Sequence, residues 1–294
     1  MKMKKQTLLV MSGVVMIMLG CTLRTETLTA QPQINETGTA VPTITAASTA
    51  TPGESDPMPE STSTDGIPVS YENISFVIPN GLADGATTDT MTAVETNTSA
   101  PWDIAPTHHR FTLTGYPQED KFHEPRIFVY PAAEYAQVNS GAAGQIENTR
   151  RILTGSTILQ ETLPRVPWFN AELLIAAQIQ MIAFQNGSGV RSLTQYAQYA
   201  APINNHELFY HFAGLTSDGE FYIVAILPIT APILAEDEKP EASVPEGGVP
   251  IPTEIGINNT YYISVIERLN SLAPDAYNPS IDQLDALIQS ILVN

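Results

Sequence analysis

Nucleophiles and metal ligands are scarce in this chain. It has one cysteine, Cys21, and five histidines, His108, His109, His123, His206 and His211. A metal site needs two or more such ligands at helical i, i+4 spacing or on one face of a strand, with further donors converging. His108, His109 and His123 form the densest set, with Asp103, Asp120 and Glu124 close in sequence. They flank an alternating segment, Arg110 to Tyr116, and the plain reading is solvated loop residues around one strand. They are the candidate ligands if those loops converge. His206 and His211 are five apart on an expected strand, which sends them to opposite faces. The acidic run Glu236-Asp237-Glu238 with Glu241 offers oxygens for calcium, but prolines flank it and it reads as a solvated loop.

Catalytic signatures are missing. A serine hydrolase of the nucleophile-elbow kind needs G-x-S-x-G on a strand-to-helix turn, and Gly187-Ser188-Gly189 is too short and sits where a hairpin turns. No P-loop, dinucleotide fingerprint, H-E-x-x-H or EF-hand loop occurs, and no cofactor is expected. Aromatic residues give a softer signal. Tyr196 and Tyr199 are three apart, and Phe209, Tyr210, Phe212, Phe221 and Tyr222 cluster in an expected hairpin. An outward-facing set can stack on sugars or grip a partner; an inward-facing set is sheet core.

The lone cysteine gains meaning from its position. Lys2, Lys4 and Lys5 precede an apolar run from Leu8 to Leu19, and Gly20-Cys21 closes it. This is the layout of an export signal. The run of about twelve residues is short of the roughly twenty that span a ~30 Å hydrocarbon core. Met18-Leu19-Gly20-Cys21 resembles the lipobox of bacterial lipoprotein signal peptides, with Met18 where leucine is usual and Leu19 where a small residue is more common. The resemblance implies that residues 1–20 are removed and that Cys21 is lipidated. No second cysteine exists to pair with it, and several acyl chains, at ~0.8 kcal/mol per buried methylene, anchor stably where one does not.

Residues 21–67 change composition to Thr, Ser, Ala, Pro and Glu, and from Thr22 to Pro68 there is no Phe, Tyr or Trp. Such a segment cannot bury enough apolar surface to offset the entropy of ordering, so a disordered tether is expected. As a flexible coil it reaches roughly 35 to 40 Å. Three of the 13 basic residues precede Cys21 and all 31 acidic residues follow it, leaving ten against 31 and a formal charge near −21 on the mature chain. Nucleic acid and anionic headgroups are repelled by such a surface.

A single α+β domain is expected over residues 68–294, with its first strand in Val69–Ile78, then weaker strands at Thr88–Glu95, Arg110–Tyr116 and Arg126–Tyr130. Ala132–Leu153 changes to helical period, broken at Gly141 and Gly144. Leu173–Gln198 and Glu207–Ile229 read as two hairpins, the first turning on glycines that supply positive φ. Together they predict a four-stranded antiparallel meander in the middle of one sheet. In Glu220–Ile229 the apolar run is nearly continuous, which predicts a strand covered on both faces. Residues 232–256 predict an acidic, proline-rich surface loop. Tyr261–Leu272 predicts a helix, and Pro279–Val293 predicts a closing amphipathic helix with Asn278 as N-cap.

The opening strand ending at Pro79 and the closing LDALIQSILV helix resemble those of the Mog1/PsbP-like family. That resemblance implies a non-catalytic binding or assembly role. The reading is therefore a lipid-anchored lipoprotein on the extracytoplasmic face of a bacterial membrane, binding a protein or glycan partner of the envelope and no nucleic acid. The alternative is a tethered glycan or peptide hydrolase without a sequence motif. Cys21→Ser should leave the domain folded while releasing it from membranes or blocking processing, as read by membrane fractionation and gel mobility. A variant that fractionates and migrates like the wild type would remove the lipoprotein reading.

Overall fold

A computed structural model describes residues 65–94, 99–239, 241–256 and 260–294; the segments expected as signal peptide and tether, with Cys21, lie outside them up to residue 64. The first ordered element is a hairpin of β1 (Gly66–Tyr71) and β2 (Ile74–Pro79), turning at Glu72-Asn73 with Glu72 at φ 51°. The segment expected as one strand is thus two, and the pairing begins at Gly66 rather than Val69. Pro68 has no N–H to give a ladder, and it lies on the outer strand of its sheet, where that loss costs little.

A second sheet carries most of the chain. It comprises β3 (Gly85–Met91), β4 (His108–Thr114), β5 (Arg126–Pro131), β6 (Glu172–Phe184), β7 (Gly187–Ala197), β8 (Phe209–Thr216) and β9 (Phe221–Pro228). All neighbours are antiparallel, in the order β3-β4-β5-β9-β8-β7-β6. The expected meander β6 to β9 is present, but it fills one half of the sheet and β6 forms an edge. Its first turn also differs from expectation. Gln185-Asn186 reverses the chain, while Gly187 and Gly189 lie inside β7 without positive φ. A Cβ on Gly189 would sit 2.4 Å from the Ala213 carbonyl and 2.5 Å from the Phe212 ring. The glycine makes room for a close backbone and an aromatic ring, not for a turn.

Both faces of this sheet are covered, so the domain is α+β with helices packed on antiparallel strands. Every residue of β8 is buried, and so are seven of eight in β9, as the unbroken apolar run requires. One face packs Ile127, Phe212, Ile223 and Ala225 beneath β2, α3 (Thr260–Ser271) and α4 (Ile281–Gln289). The other packs Phe128, Tyr130, Phe209 and Val224 beneath α1 (Ala132–Val138) and α2 (Ser140–Leu153). The helical break falls at Asn139, not at Gly141 or Gly144, because the Asn139 side chain caps α2. No helix among the described residues is long and apolar enough to cross a membrane.

The closing helix starts at Ile281, two residues later than expected. Ser280 caps it in a reciprocal box with Gln283, and Leu292–Val293 then leaves as β10 to pair with β2. Ile281, Leu284, Leu287 and Ile288 are wholly buried, each contributing about 1.5–3 kcal/mol by leaving water. The loop at 232–256 is less superficial than its composition implied. Ile233, Leu234 and Ala235 are buried, and the Asn205 amide donates to the Ala231 and Leu234 carbonyls while accepting from the Ala231 N–H.

One polar cluster interrupts the α4 face. Arg191, 3% exposed, donates to Gln180 Oε1 at 2.6 Å and lies 3.7 Å from Asp285 Oδ1, which accepts from the Tyr210 hydroxyl at 2.8 Å. Burial pushes the Asp285 carboxyl up, against the pull of Arg191 and Tyr210. Arg191 Nε and Nη1 have no hydrogen-bond partner, so the guanidinium depends on this one carboxylate. Removing one partner of a buried pair costs more than the pair contributes. Asp285→Ala should lower stability by about 3 kcal/mol in urea unfolding, and Arg191→Met with Asp285→Leu should recover most of it. A single variant within 1 kcal/mol of wild type would show that the pair is solvated.

Candidate binding cleft

An open cleft of about 800 Å³ lies at one end of the α1/α2 face. Its aromatic wall is Trp102, Trp168, Phe169 and Tyr196, and Arg165 and Glu172 form an ion pair at 3.8 Å on its lining. Trp102 and Trp168 are the two tryptophans of the whole chain. Each follows a proline, in Pro101-Trp102 and Pro167-Trp168, so each indole is carried by a loop whose backbone is stiffened at the preceding residue.

Asn139 assembles the cleft. Its Oδ1 accepts from the Gly141 and Ala142 N–H groups at 3.0 and 3.1 Å, capping α2. Its Nδ2 donates to the Pro101 and Ile104 carbonyls, both at 3.0 Å, which ties the Trp102 loop to the same helix end. One amide thus uses acceptor and donor for separate tasks. Gly141 completes the junction. A Cβ there would sit 2.6 Å from the Trp168 ring, so the indole lies directly on the first turn of α2.

The Trp168 loop is held from below by a histidine. Val166 is buried, and its carbonyl accepts the Nε2–H of His211 at 2.9 Å, which fixes the tautomer of that ring. Burial pushes the His211 pKa down to about 4 despite the Val166 hydrogen bond. His123 is likewise lowered to about 4, by burial first and then by the charges of His211, His206 and Arg126. His123 stacks edge-on against Phe209 at 4.3 Å and Phe169 at 5.2 Å. It lies behind the aromatic wall as packing.

The structure separates the histidines singled out from the sequence. His108 is buried against Tyr130 with Nδ1 on the Pro106 carbonyl at 2.8 Å. His109, its neighbour on a strand, faces the other side and packs on Tyr71, with Glu72 3.5 Å away. His123 is with Phe209 and Phe169. Among the described residues no three His, Cys, Asp or Glu lie close enough to hold a metal ion. Alternation along β4 parts the first two, and the loop carrying His123 folds onto β8 instead of joining them.

The aromatic expectation is redistributed. Phe209, Tyr210, Phe212 and Tyr222 are core, Phe221 is half-buried, and Tyr199 is exposed with its hydroxyl on Glu238. Only Tyr196 of that set reaches the cleft. Trp102, Trp168, Phe169 and Arg165 were not anticipated, although two rare indoles each behind a proline were a usable signal. Comparison with family models, with curated proteins and with solved structures gave no match.

The low pKa of His211 has a consequence for stability. Its unfolded value is near 6.5, so between pH 6.5 and 4 the unfolded chain binds a proton that the folded chain refuses. Stability is full above about pH 6.5 and falls as pH drops toward 4, by roughly 3 kcal/mol for this residue. Asp285 and Glu207, raised by burial, act in the opposite sense. A comparison with His211→Gln, whose amide can still donate to Val166, isolates the histidine. The urea midpoint of the wild type should fall more steeply between pH 6.5 and 4.5 than that of the variant, and parallel curves would refute the assignment.

Proposed function

We propose that this chain is a lipid-anchored extracytoplasmic binding module whose binding site is the Trp102/Trp168 cleft. The observation that carries this reading is the placement of both tryptophans, with Phe169 and Tyr196, along one open groove. Concave sites that combine aromatic walls with a few convergent polar groups are the usual form of a ligand site. Glu172 is the one carboxylate among the residues lining the groove, whereas acid–base hydrolysis works through paired titratable groups. The export signal, Cys21 and the tether place the domain at the outer face of a bacterial membrane in this reading, with a protein or glycan of the envelope as partner.

The resemblance to the Mog1/PsbP-like family supports a binding role as well. The two elements that carry it touch, since Ser290 at the end of α4 accepts from the Val77 N–H of β2 at 2.9 Å. The acidic surface favours partners that are neutral or basic.

The cleft can be disabled without disturbing the core. Trp102 is 42% exposed, so Trp102→Ala removes an indole with little loss of packing. Asn139→Asp keeps an acceptor for the α2 cap but replaces the two donors that hold the Trp102 loop. Trp102→Ala should keep the thermal midpoint within a few degrees, whereas Asn139→Asp should still fold but lose about 1–3 kcal/mol, because the Pro101 and Ile104 carbonyls lose their donors. The full chain in detergent micelles should co-sediment with fragmented cell envelopes, and each variant should reduce that at least fivefold. Equal sedimentation of wild type and both variants would mean that the cleft is not the binding site.

A further inference from the structure

We infer that the cleft takes a neutral oligosaccharide, an inference that rests on the cleft being the binding site. A pyranose ring has an apolar C–H face and a rim of hydroxyls that each donate and accept. The cleft offers the matching halves. Trp102, Trp168, Phe169 and Tyr196 supply flat apolar faces that need little ordering on binding. The two indole N–H groups, which can only donate, make no hydrogen bond among the described residues, and neither does the Asn170 side-chain amide. Gln198 spends its Nε2 on the Asn170 carbonyl at 3.0 Å, which leaves its Oε1 to accept. Glu172 and Arg165, paired at 3.8 Å, add one acceptor-only and one donor-only group side by side on the lining.

Charge narrows the class. Arg165 is faced by Glu172, and the mature surface is strongly acidic, so a polyanionic glycan would meet repulsion without a free cation to offset it. A proline-rich peptide is the competing aromatic-groove ligand. Its prolines have no N–H, so along such a segment it offers carbonyl acceptors and leaves Glu172 and Gln198 Oε1 without donors. A sugar hydroxyl satisfies both.

The ligand is a chain and not a single ring. The volume of about 800 Å³ exceeds what one pyranose fills.

Because both tryptophans line the groove, intrinsic fluorescence reports on it without a label. The full chain in detergent micelles would be titrated with β-1,4-linked tetrasaccharides of glucose and of N-acetylglucosamine, with their disaccharides, and with a proline-rich decapeptide. A tetrasaccharide should change the emission saturably and bind at least tenfold more tightly than its disaccharide. Following the signal of Trp168, Trp102→Ala should weaken binding about tenfold, and Glu172→Gln should weaken it severalfold. Calorimetry would give the same constants independently of the indoles. Saturable binding of the peptide without the sugars, or sugar binding unchanged in Trp102→Ala and Glu172→Gln, overturns the inference. So does a chain that ignores both sugars while its envelope sedimentation still depends on Trp102 and Asn139; in that case the cleft remains the binding site for another class of ligand. Loss of that dependence as well would remove the binding site itself.

Discussion

The fold depends on one hairpin that has no face to spare for water. In β8 and β9 successive side chains point to opposite sides of the sheet, and nearly all of them are apolar and buried. A strand pair of that kind needs cover on both sides, and the chain supplies it from both ends. The N-terminal hairpin and the last two helices close one face. The helical pair between β5 and β6 closes the other. The order of strands follows, since β9 must be flanked by β5 as well as β8 to stay central.

Cover on the α1/α2 side creates the cleft. The helices reach the sheet over Phe209 and Tyr222, but the segment from Arg165 to Ala171 must return from the end of α2 to the edge strand β6. It does so across the mouth of the sheet, carrying Trp168 and Phe169 past Tyr196. The capping of α2 is therefore more than local chemistry. Asn139 satisfies two N–H groups that every helix start leaves open, and its remaining donors fasten a loop distant in sequence. His211 does the equivalent from the sheet, with its ring N–H on Val166 two residues before Trp168. Both side chains fasten loops that carry the indoles of the groove.

The edge strand is handled in the same manner. β6 breaks register between Ala177 and Gln180, with Gln178 at φ 50°. That irregularity lets the Gln178 amide donate to the Leu269 carbonyl, which also accepts from the Leu272 N–H and the Tyr277 hydroxyl, and to the Leu272 carbonyl just past the end of α3. A bulge on an edge also discourages pairing with another chain. Helix termination and edge protection are met by a single residue.

Sequence alone determined the α+β class, the four strands of the meander, the double burial of the Glu220–Ile229 run and the apolar face of the closing helix. These are short-range properties: period two or 3.6, and apolar runs bounded by turn residues, are written in neighbouring positions. Boundaries set by side-chain caps were less legible, because Asn139 and Ser280 compete with nearby glycines and prolines that signal the same break. The cleft was not legible at all. Trp102, Arg165, Trp168 and Tyr196 are separated by up to ninety-four positions, and no local pattern records that an amide on α2 and a ring on β8 bring them together. Their common groove is a product of tertiary structure, since it exists only once the sheet has fixed where each loop must cross it.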